Sequence, residues 1–192
     1  MPSDRLDEAA AAIERGELVV YPTETVYGLG ADALDPDAVE RVFEAKGRSR
    51  ENPVSMGFPD VDAALEHTRP TDREERFMRQ FLPGPVTVVV ERDPEVPDVV
   101  TAGRDRVGVR IPDHGLALSL LERAWPVTST SANVSGNPSV RRVEELDAEI
   151  REAAAVVLDG GETEGTESTV VDLSAGEIIR RGAMADEIED WL

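Results

Sequence analysis

Segments with strand and helix signatures alternate along the whole chain, and this alternation limits the fold more than any other feature. Leu18–Tyr21 and Val86–Val90 are short apolar runs typical of buried strands. Between them, Asp35 and Pro36 form a typical helix start, and an apolar stripe continues to Gly47. Strands separated by helical stretches predict an α/β domain, with seven or more strands in a parallel or mixed sheet.

The chain of 192 residues has the length of one ordinary domain, and neither an internal repeat nor a linker divides it. We therefore expect a single domain over residues 1–192. No apolar run approaches the roughly 18 residues that a membrane-spanning helix needs. The first residues also lack the basic and apolar regions of a signal peptide, so we expect a cytoplasmic protein without membrane contact.

Cysteine is absent from the chain, which excludes disulfides, thiolate catalysis and cysteine-built zinc sites. His67 and His114 are the only two histidines, so a histidine-rich metal site is not expected either. The sequence therefore predicts no metal site built by the protein itself.

The charge is strongly acidic, with 40 Asp and Glu against 20 Lys and Arg, and Lys46 is the only lysine. This composition resembles that of halophilic proteins, whose acidic surfaces are tolerable because the Debye length is about 3 Å at 1 M salt. An acidic mesophilic protein is the alternative. A broad nucleic-acid surface is not expected on such a chain, so an anionic ligand has to be met by a local basic cluster.

Small polar and basic residues concentrate in four segments, residues 21–30, 46–53, 128–139 and 165–169. The hydroxyls and glycines of the first segment suit close approach by a ligand, although a hydroxyl-capped turn between two strands explains them as well. The third segment offers many hydroxyl donors, but it matches neither a P-loop nor a dinucleotide-binding fingerprint.

Two cations have both a structural and a functional interpretation. Lys46 lies at a predicted helix C-terminus, where a cation is common, yet its position beside Arg48 and Arg50 suggests a phosphate-binding cluster. Arg110 lies between Val109 and Ile111, where an ion-paired structural arginine is the usual case.

Eight short motifs in this order resemble the YrdC-like family and cover the chain from Tyr21 to Gly182. They are Pro22–Gly30, Lys46-Gly47-Arg48, Asn52-Pro53, Pro83–Thr87, Val107–Pro112, Ser131-Ala132-Asn133, Asp159-Gly160-Gly161 and Glu167–Val170. Each motif is weak evidence, but eight in order are specific. The chain is similar to the short family members that have no additional C-terminal domain.

The resemblance implies a twisted, open sheet of mixed and parallel strands with flanking helices around a deep, positively charged cavity. It also implies an L-threonylcarbamoyladenylate synthase. L-Threonine, bicarbonate and ATP, with Mg²⁺, would give threonylcarbamoyl-AMP and pyrophosphate, without a tightly bound cofactor. The product would pass to the machinery that makes the threonylcarbamoyladenosine (t6A) modification of tRNA. Positioning of the substrates and neutralisation of the phosphate charge would account for the rate acceleration.

Position by position, the resemblance implies two groups of ligands. The ATP-binding group is Lys46, Arg48, Asn52, Ser131, Asn133, Ser139 and Arg180. Lys46 and Arg48 are the members expected to act in catalysis. The threonine-binding group is Thr23, Arg110, Ser129 and Ser168, with Arg110 on the threonine carboxylate. Arg50 is added to the ATP-binding group for its charge alone.

The chain departs from the family pattern at three places. Residues 54–58 lack a histidine that the family commonly has on the threonine side, and Thr130 and Arg181 replace prolines. None of these changes removes a charge that phosphates need. The segment Asp159–Glu167 is rich in glycine and acidic residues, and we expect it to form a mobile loop over the site.

Three alternatives remain open at this point. A related protein could bind nucleotide or RNA without forming the adenylate, because one fold supports several functions. A carbamoyl-transfer module like that of hydrogenase maturation would belong to a much longer chain. A protein that only binds RNA is disfavoured by the net charge of −20.

Overall fold

The computed structural model describes residues 2–192, in which nine strands form one sheet flanked by helices. The strands are β1 Leu18–Tyr21, β2 Gly28–Gly30, β3 Ser55–Gly57, β4 Val86–Glu91, β5 Arg106–Arg110, β6 Val127–Ser131, β7 Ala154–Val157, β8 Thr169–Asp172 and β9 Glu177–Arg180. The helices are α1 Pro2–Glu14, α2 Pro36–Lys46, α3 Val61–Leu65, α4 Asp72–Phe81, α5 Asp98–Thr101, α6 Gly115–Leu121, α7 Ala148–Ala153 and α8 Ala185–Trp191, with a short 3-10 turn at Val143–Glu145.

The strand order across the sheet is β7-β1-β2-β6-β3-β5-β4-β8-β9. The pairs β1–β7, β3–β5 and β4–β8 are parallel, and the other five pairs are antiparallel. The sheet is therefore mixed, which confirms the α/β fold class and the mixed alternative of the sequence analysis. None of the helices within residues 2–192 is both long enough and apolar enough to cross a bilayer.

Local signals account for both ends of α2 and for the start of α4. The Asp35 carboxylate accepts a hydrogen bond of 3.0 Å from the Asp37 amide, and Gly47 ends α2 in the left-handed conformation with φ of 57°. A capping box between Thr71 and Glu74 starts α4. Ser3, by contrast, lies inside α1 rather than capping it.

The sequence of residues 143–154 is typical of a single helix, but in the structure this helix is interrupted. The chain leaves the helical conformation at Leu146, and the Asp147 carboxylate accepts hydrogen bonds from the Val134 amide at 2.7 Å and from Asn137 Nδ2 at 3.0 Å. These long-range contacts hold Asp147 against the Ser-Ala-Asn loop, so only Ala148–Ala153 continues as a helix. Strand β2 agrees with the interpretation of residues 21–30 as two strands joined by a hydroxyl-capped turn, whereas helix α5 was not predicted.

The two faces of β4 and β5 have different environments because side chains alternate along a strand. Val86, Val88 and Val90 belong to the core that packs against α4. Thr87 and Val89 point the other way and line a cavity, as do Gly108 and Arg110 of β5. The helix-covered face thus provides the core, while the opposite face provides the floor of the site.

Candidate active site

A cavity of about 700 Å³ lies on this second face of the sheet, bounded by the loops that follow β1 and α2 and by residues 129–131 of β6. It brings together eight of the twelve residues proposed from the sequence. They are Thr23, Arg48, Asn52, Arg110, Ser129, Ser131, Ser168 and Arg180. The other four, Lys46, Arg50, Asn133 and Ser139, are not among the lining residues.

Cations are in excess in the cavity although the chain as a whole is acidic. Five arginines line it, against three carboxylates: Arg48, Arg104, Arg106, Arg110 and Arg180, and Asp105, Glu167 and Asp172. The lining therefore has a formal charge of +2, in a chain whose net charge is −20. Two carboxylates outside the lining, Glu24 and Glu74, pair with Arg110 and Arg106 and offset this excess.

Small side chains keep the cavity floor open at the centre of the sheet. A Cβ atom at Gly108 would lie 2.4 Å from Ser55 Oγ and 2.9 Å from Thr87 Cγ2, both of which also line the cavity. Glycine therefore allows β3, β4 and β5 to present a flat surface to a ligand.

Arg110 is held in one orientation by the protein itself. Its Nη1 donates to the carbonyl oxygens of Gly84 and Ile111, and its Nη2 donates to Glu24 Oε1 at 2.5 Å. The exposed fractions of the Arg110 and Glu24 side chains are 5% and 16%. This buried ion pair fits the structural interpretation of Arg110. Among the described residues no acceptor binds Nε, so the guanidinium retains free donors.

The hydroxyls proposed for threonine have different local roles. Thr23 Oγ1 donates to the Val26 carbonyl at 2.6 Å and accepts from the Thr25 and Val26 amides at 3.2 Å, so it caps the turn after β1. Ser168 Oγ lies 3.1 Å from Thr87 Oγ1 and accepts from Arg180 Nη2 at 2.9 Å. Ser168 thus joins the β4 side of the floor to Arg180.

Arg48 and Arg180 also line the cavity. Arg48 donates to the carbonyl oxygens of Asn52 at 3.1 Å and Pro53 at 2.8 Å. Arg180 donates from Nε and Nη2 to the Ser168 carbonyl, at 3.1 and 2.9 Å. Burial, with a smaller contribution from Arg180, lowers the pKa of Arg48. An anion bound in the cavity would relieve the repulsion between these two like charges.

Lys46 is buried behind the cavity wall, with 1% of its surface exposed. Its ammonium donates to the carbonyl oxygen of Ser131, to that of Asn133 at 2.8 Å, and to Asn133 Oδ1 at 3.5 Å. Burial, and secondarily Arg48, lowers the pKa of Lys46 from 10.5 to about 8. The lysine fastens the end of α2 to the Ser-Ala-Asn motif, so a direct phosphate contact would require one of these bonds to be replaced.

The remaining proposed residues are engaged with protein groups. Asn133 Nδ2 donates to the carbonyl oxygens of Val134 at 3.1 Å and Asn137 at 2.8 Å. Ser139 Oγ donates to Glu167 Oε1 at 2.6 Å. Arg50 Nε donates to Glu40 Oε2 at 2.9 Å on the protein surface, which leaves its role in ATP binding without support from a cavity contact.

The family model of the Sua5, YciO and YrdC proteins, which is described as telomere recombination, matches residues 11–182. The chain belongs to the Sua5/YciO/YrdC family. This finding confirms the family resemblance that rested on the eight motifs.

Two relatives with substantial sequence identity to this chain carry the same name. The chain is 42% identical over 187 residues to threonylcarbamoyl-AMP synthase of Pyrococcus abyssi, covering 94% of this chain and 55% of that protein. It is 33% identical over 192 residues to threonylcarbamoyl-AMP synthase of Klebsiella pneumoniae, covering 95% and 98% respectively. The structure of P. abyssi Sua5 complexed with L-threonine superposes with a TM-score of 0.88 at 40% identity, covering 97% of this chain and 57% of that one. The chain thus spans little more than half of the P. abyssi protein.

Two carboxylates of this Sua5/YciO/YrdC domain were missed by the sequence analysis. Glu24 pairs with Arg110, and Glu167 lies beside Arg180 and accepts from Ser139. Both occur inside quoted motifs, so the available signal was an acidic residue within a motif expected to bind anions. A buried cation needs a counter-charge within the protein, so an acidic residue inside such a motif is a candidate partner for one of the arginines.

Proposed function

We propose that this chain is an L-threonylcarbamoyladenylate synthase, which converts L-threonine, bicarbonate and ATP into threonylcarbamoyl-AMP and pyrophosphate. The observation that carries the proposal is one cavity lined by an oriented, buried Arg110 and by two further cations, the half-buried Arg48 and the exposed Arg180. These two cationic groups suit a carboxylate and a chain of phosphates in the same space. The names of the relatives and the L-threonine complex of P. abyssi Sua5 support the same reaction.

The threonine carboxylate is proposed to bind Arg110. Both Nη1 contacts are carbonyl oxygens, and Glu24 takes one donor of Nη2. The Nε–H and the second Nη2 hydrogen are therefore available to a substrate carboxylate, which arginine binds best through two parallel bonds. Ser129 and Ser168, with Thr23 as the turn that shapes the wall, complete the proposed threonine site.

ATP is proposed to enter as its Mg²⁺ complex, with its phosphates against Arg48 and Arg180 and with Ser131 and Asn52 at the wall. Residues 2–192 contain no group of three or more His, Cys, Asp or Glu side chains that could hold a metal. The proposal therefore has Mg²⁺ bound chiefly by phosphate oxygens, which is common for this ion. Lys46 and Asn133 shape the wall from behind, and Ser139 reaches the site through Glu167.

The proposed reaction has two steps that balance without a covalent enzyme intermediate. The neutral threonine amine adds to bicarbonate, and the carbamate forms with loss of water. A carbamate oxygen then attacks the α-phosphorus of ATP, and the bond to the β-phosphate breaks to release pyrophosphate. Arg48 and Arg180 would neutralise the charge that develops on the phosphates, while Arg110 fixes the attacking group.

The product is proposed to serve the t6A modification of tRNA in the cytoplasm, through a separate transfer machinery. The reaction is tested by measuring pyrophosphate release with MgATP while L-threonine or bicarbonate is omitted in turn, or L-threonine is replaced by L-serine. We expect release only with the full set and much slower release with L-serine. Release that is equally fast without an amino acid would contradict the assignment, and no release would favour a paralogue that only binds nucleotide.

A further inference from the structure

A protein carboxylate lies among the cations proposed to hold phosphate. Glu167 Oε1 accepts from Ser139 Oγ at 2.6 Å, and Glu167 Oε2 lies 3.5 Å from Arg180 Nη1. Two residues expected to contact ATP therefore contact this one carboxylate.

The Glu167 pair differs from the other carboxylate–arginine pair of the cavity in its burial. The Arg180 and Glu167 side chains are 46% and 40% exposed, whereas those of Arg110 and Glu24 are 5% and 16% exposed. A solvated pair at 3.5 Å is weakly held, while removing one member of a buried pair leaves a charge without compensation. The burial of Glu24 is therefore typical of a permanent counter-ion of Arg110, whereas the exposure of Glu167 is typical of a counter-ion that a ligand can displace from Arg180.

The backbone around Glu167 is fixed, so only its side chain is free to leave. The Ala183 amide donates to the Glu167 carbonyl at 2.9 Å, and Arg180 donates to the next carbonyl, that of Ser168. A Cβ at Gly182 would lie 2.2 Å from the Glu167 carbonyl oxygen, which shows how closely the two backbones pack. Rotation of the Glu167 side chain can thus vacate Arg180 and Ser139 without moving Ser168.

We propose that the Glu167 carboxylate is an internal competitor for phosphate, which occupies Ser139 and Arg180 in the ligand-free protein and swings away when a polyphosphate binds. In naming pyrophosphate as the ligand released, this inference rests on the proposed function. The competitor lowers the affinity for ATP and for pyrophosphate alike, and its return helps the product to leave. A residue that instead held Mg²⁺ on ATP would raise these affinities.

The test is calorimetric titration of inorganic pyrophosphate, without divalent metal, into the wild-type protein and into Glu167→Gln. The substitution keeps the size and a hydrogen-bond acceptor for Ser139 but removes the charge. From the usual strength of an exposed ion pair, we expect pyrophosphate to bind about three- to fivefold more tightly to Glu167→Gln. Glu167→Ala should act in the same direction if the glutamine variant is poorly folded.

Glu162→Gln is the matched control. Glu162 lies five positions earlier in the same loop, pairs with Arg141 and Arg142, and is 42% exposed, but it does not line the cavity. We expect the Glu162→Gln variant to bind pyrophosphate with the same affinity as the wild-type protein. Unchanged or weaker binding by both Glu167 variants would overturn the inference, as would the absence of detectable binding in all proteins.

Pyrophosphate release from MgATP, threonine and bicarbonate separates this inference from the proposed function. A wild-type protein that catalyses release, together with a Glu167→Gln variant that does not bind more tightly, would refute the competitor alone. If the wild-type protein releases no pyrophosphate but Glu167→Gln still binds pyrophosphate more tightly than the wild type does, the proposed reaction is refuted. The role of Glu167 as a competitor is then supported independently.

Discussion

Replacing Lys46 by methionine should change how the stability of the protein depends on pH. Lys46 is the buried lysine whose ammonium bonds to Ser131 and Asn133, and its pKa is lowered from 10.5 to about 8, chiefly by burial. Between these two pKa values the unfolded chain holds a proton that the folded protein has lost. Stability must therefore rise with pH across this window, whereas well below pH 8 Lys46 is protonated in both states and adds nothing to the pH dependence.

The size of the effect follows from the shift. Each pH unit inside the window contributes at most about 1.4 kcal/mol, so the Lys46 contribution between pH 7 and pH 10 is a gain of about 2 kcal/mol. Tyr21 and Tyr27 have raised pKa values, mainly through burial, and act in the opposite direction above about pH 10. Their contribution cancels when wild type and variant are compared at the same pH.

Urea unfolding at several pH values between 7 and 10 measures the free energy of unfolding of both proteins. We expect the difference, wild type minus Lys46→Met, to move in favour of the wild type by about 2 kcal/mol across this range. Lys46→Gln provides a second neutral variant. A difference that stays constant, or that moves in favour of the variants, would refute the view that Lys46 is a buried ammonium.

Three further predictions concern the cavity. Arg110→Lys should raise the KM for threonine at least tenfold, about 1.4 kcal/mol, because lysine cannot form the two parallel bonds to a carboxylate. The KM for MgATP should stay within about twofold. If steady-state pyrophosphate release shows equal effects on both KM values, Arg110 is structural. Gly182→Ala should lower the melting temperature and the affinity for threonine by displacing the backbone of residues 167–168, whereas Gly115→Ala, whose Cβ meets nothing within 4 Å, should change neither. Hydrogen exchange in residues 159–167 should slow when MgATP and threonine bind, and an unchanged rate would argue against the loop covering the site.

The architecture was predictable where local physical signals agree with burial. The β-branched run at Val86–Val90, and the Asp35-Pro36 start and Gly47 end of α2, correspond closely to elements of the structure. The short strand Gly28–Gly30 was predicted only as one of two interpretations of residues 21–30, and without bounds, because its glycines carry no strand propensity. Pairing with β1 and β6 creates it. The break at Leu146 depends on contacts of Asp147 with a distant loop, which no local pattern contains.

The candidate site was predictable as a set of residues but not as a set of contacts. The motifs include positions that line the cavity, and the family resemblance, rather than charge, makes Arg110 and Arg180 candidates for anion binding. Neither reveals that Lys46 is buried behind the wall, nor that Glu24 and Glu167 act as counter-charges. Those facts depend on how distant segments pack, and burial then decides which cation remains free to meet a ligand.

The most direct test of the proposed reaction is identification of the product by mass spectrometry. The purified protein is incubated with MgATP, L-threonine and ¹³C-bicarbonate, and the nucleotides are analysed at once. We predict an adenylate with the mass of threonylcarbamoyl-AMP that contains the ¹³C label, together with an equal amount of pyrophosphate. An adenylate without the label, or ATP consumption that yields no threonine-containing nucleotide, would contradict the assignment.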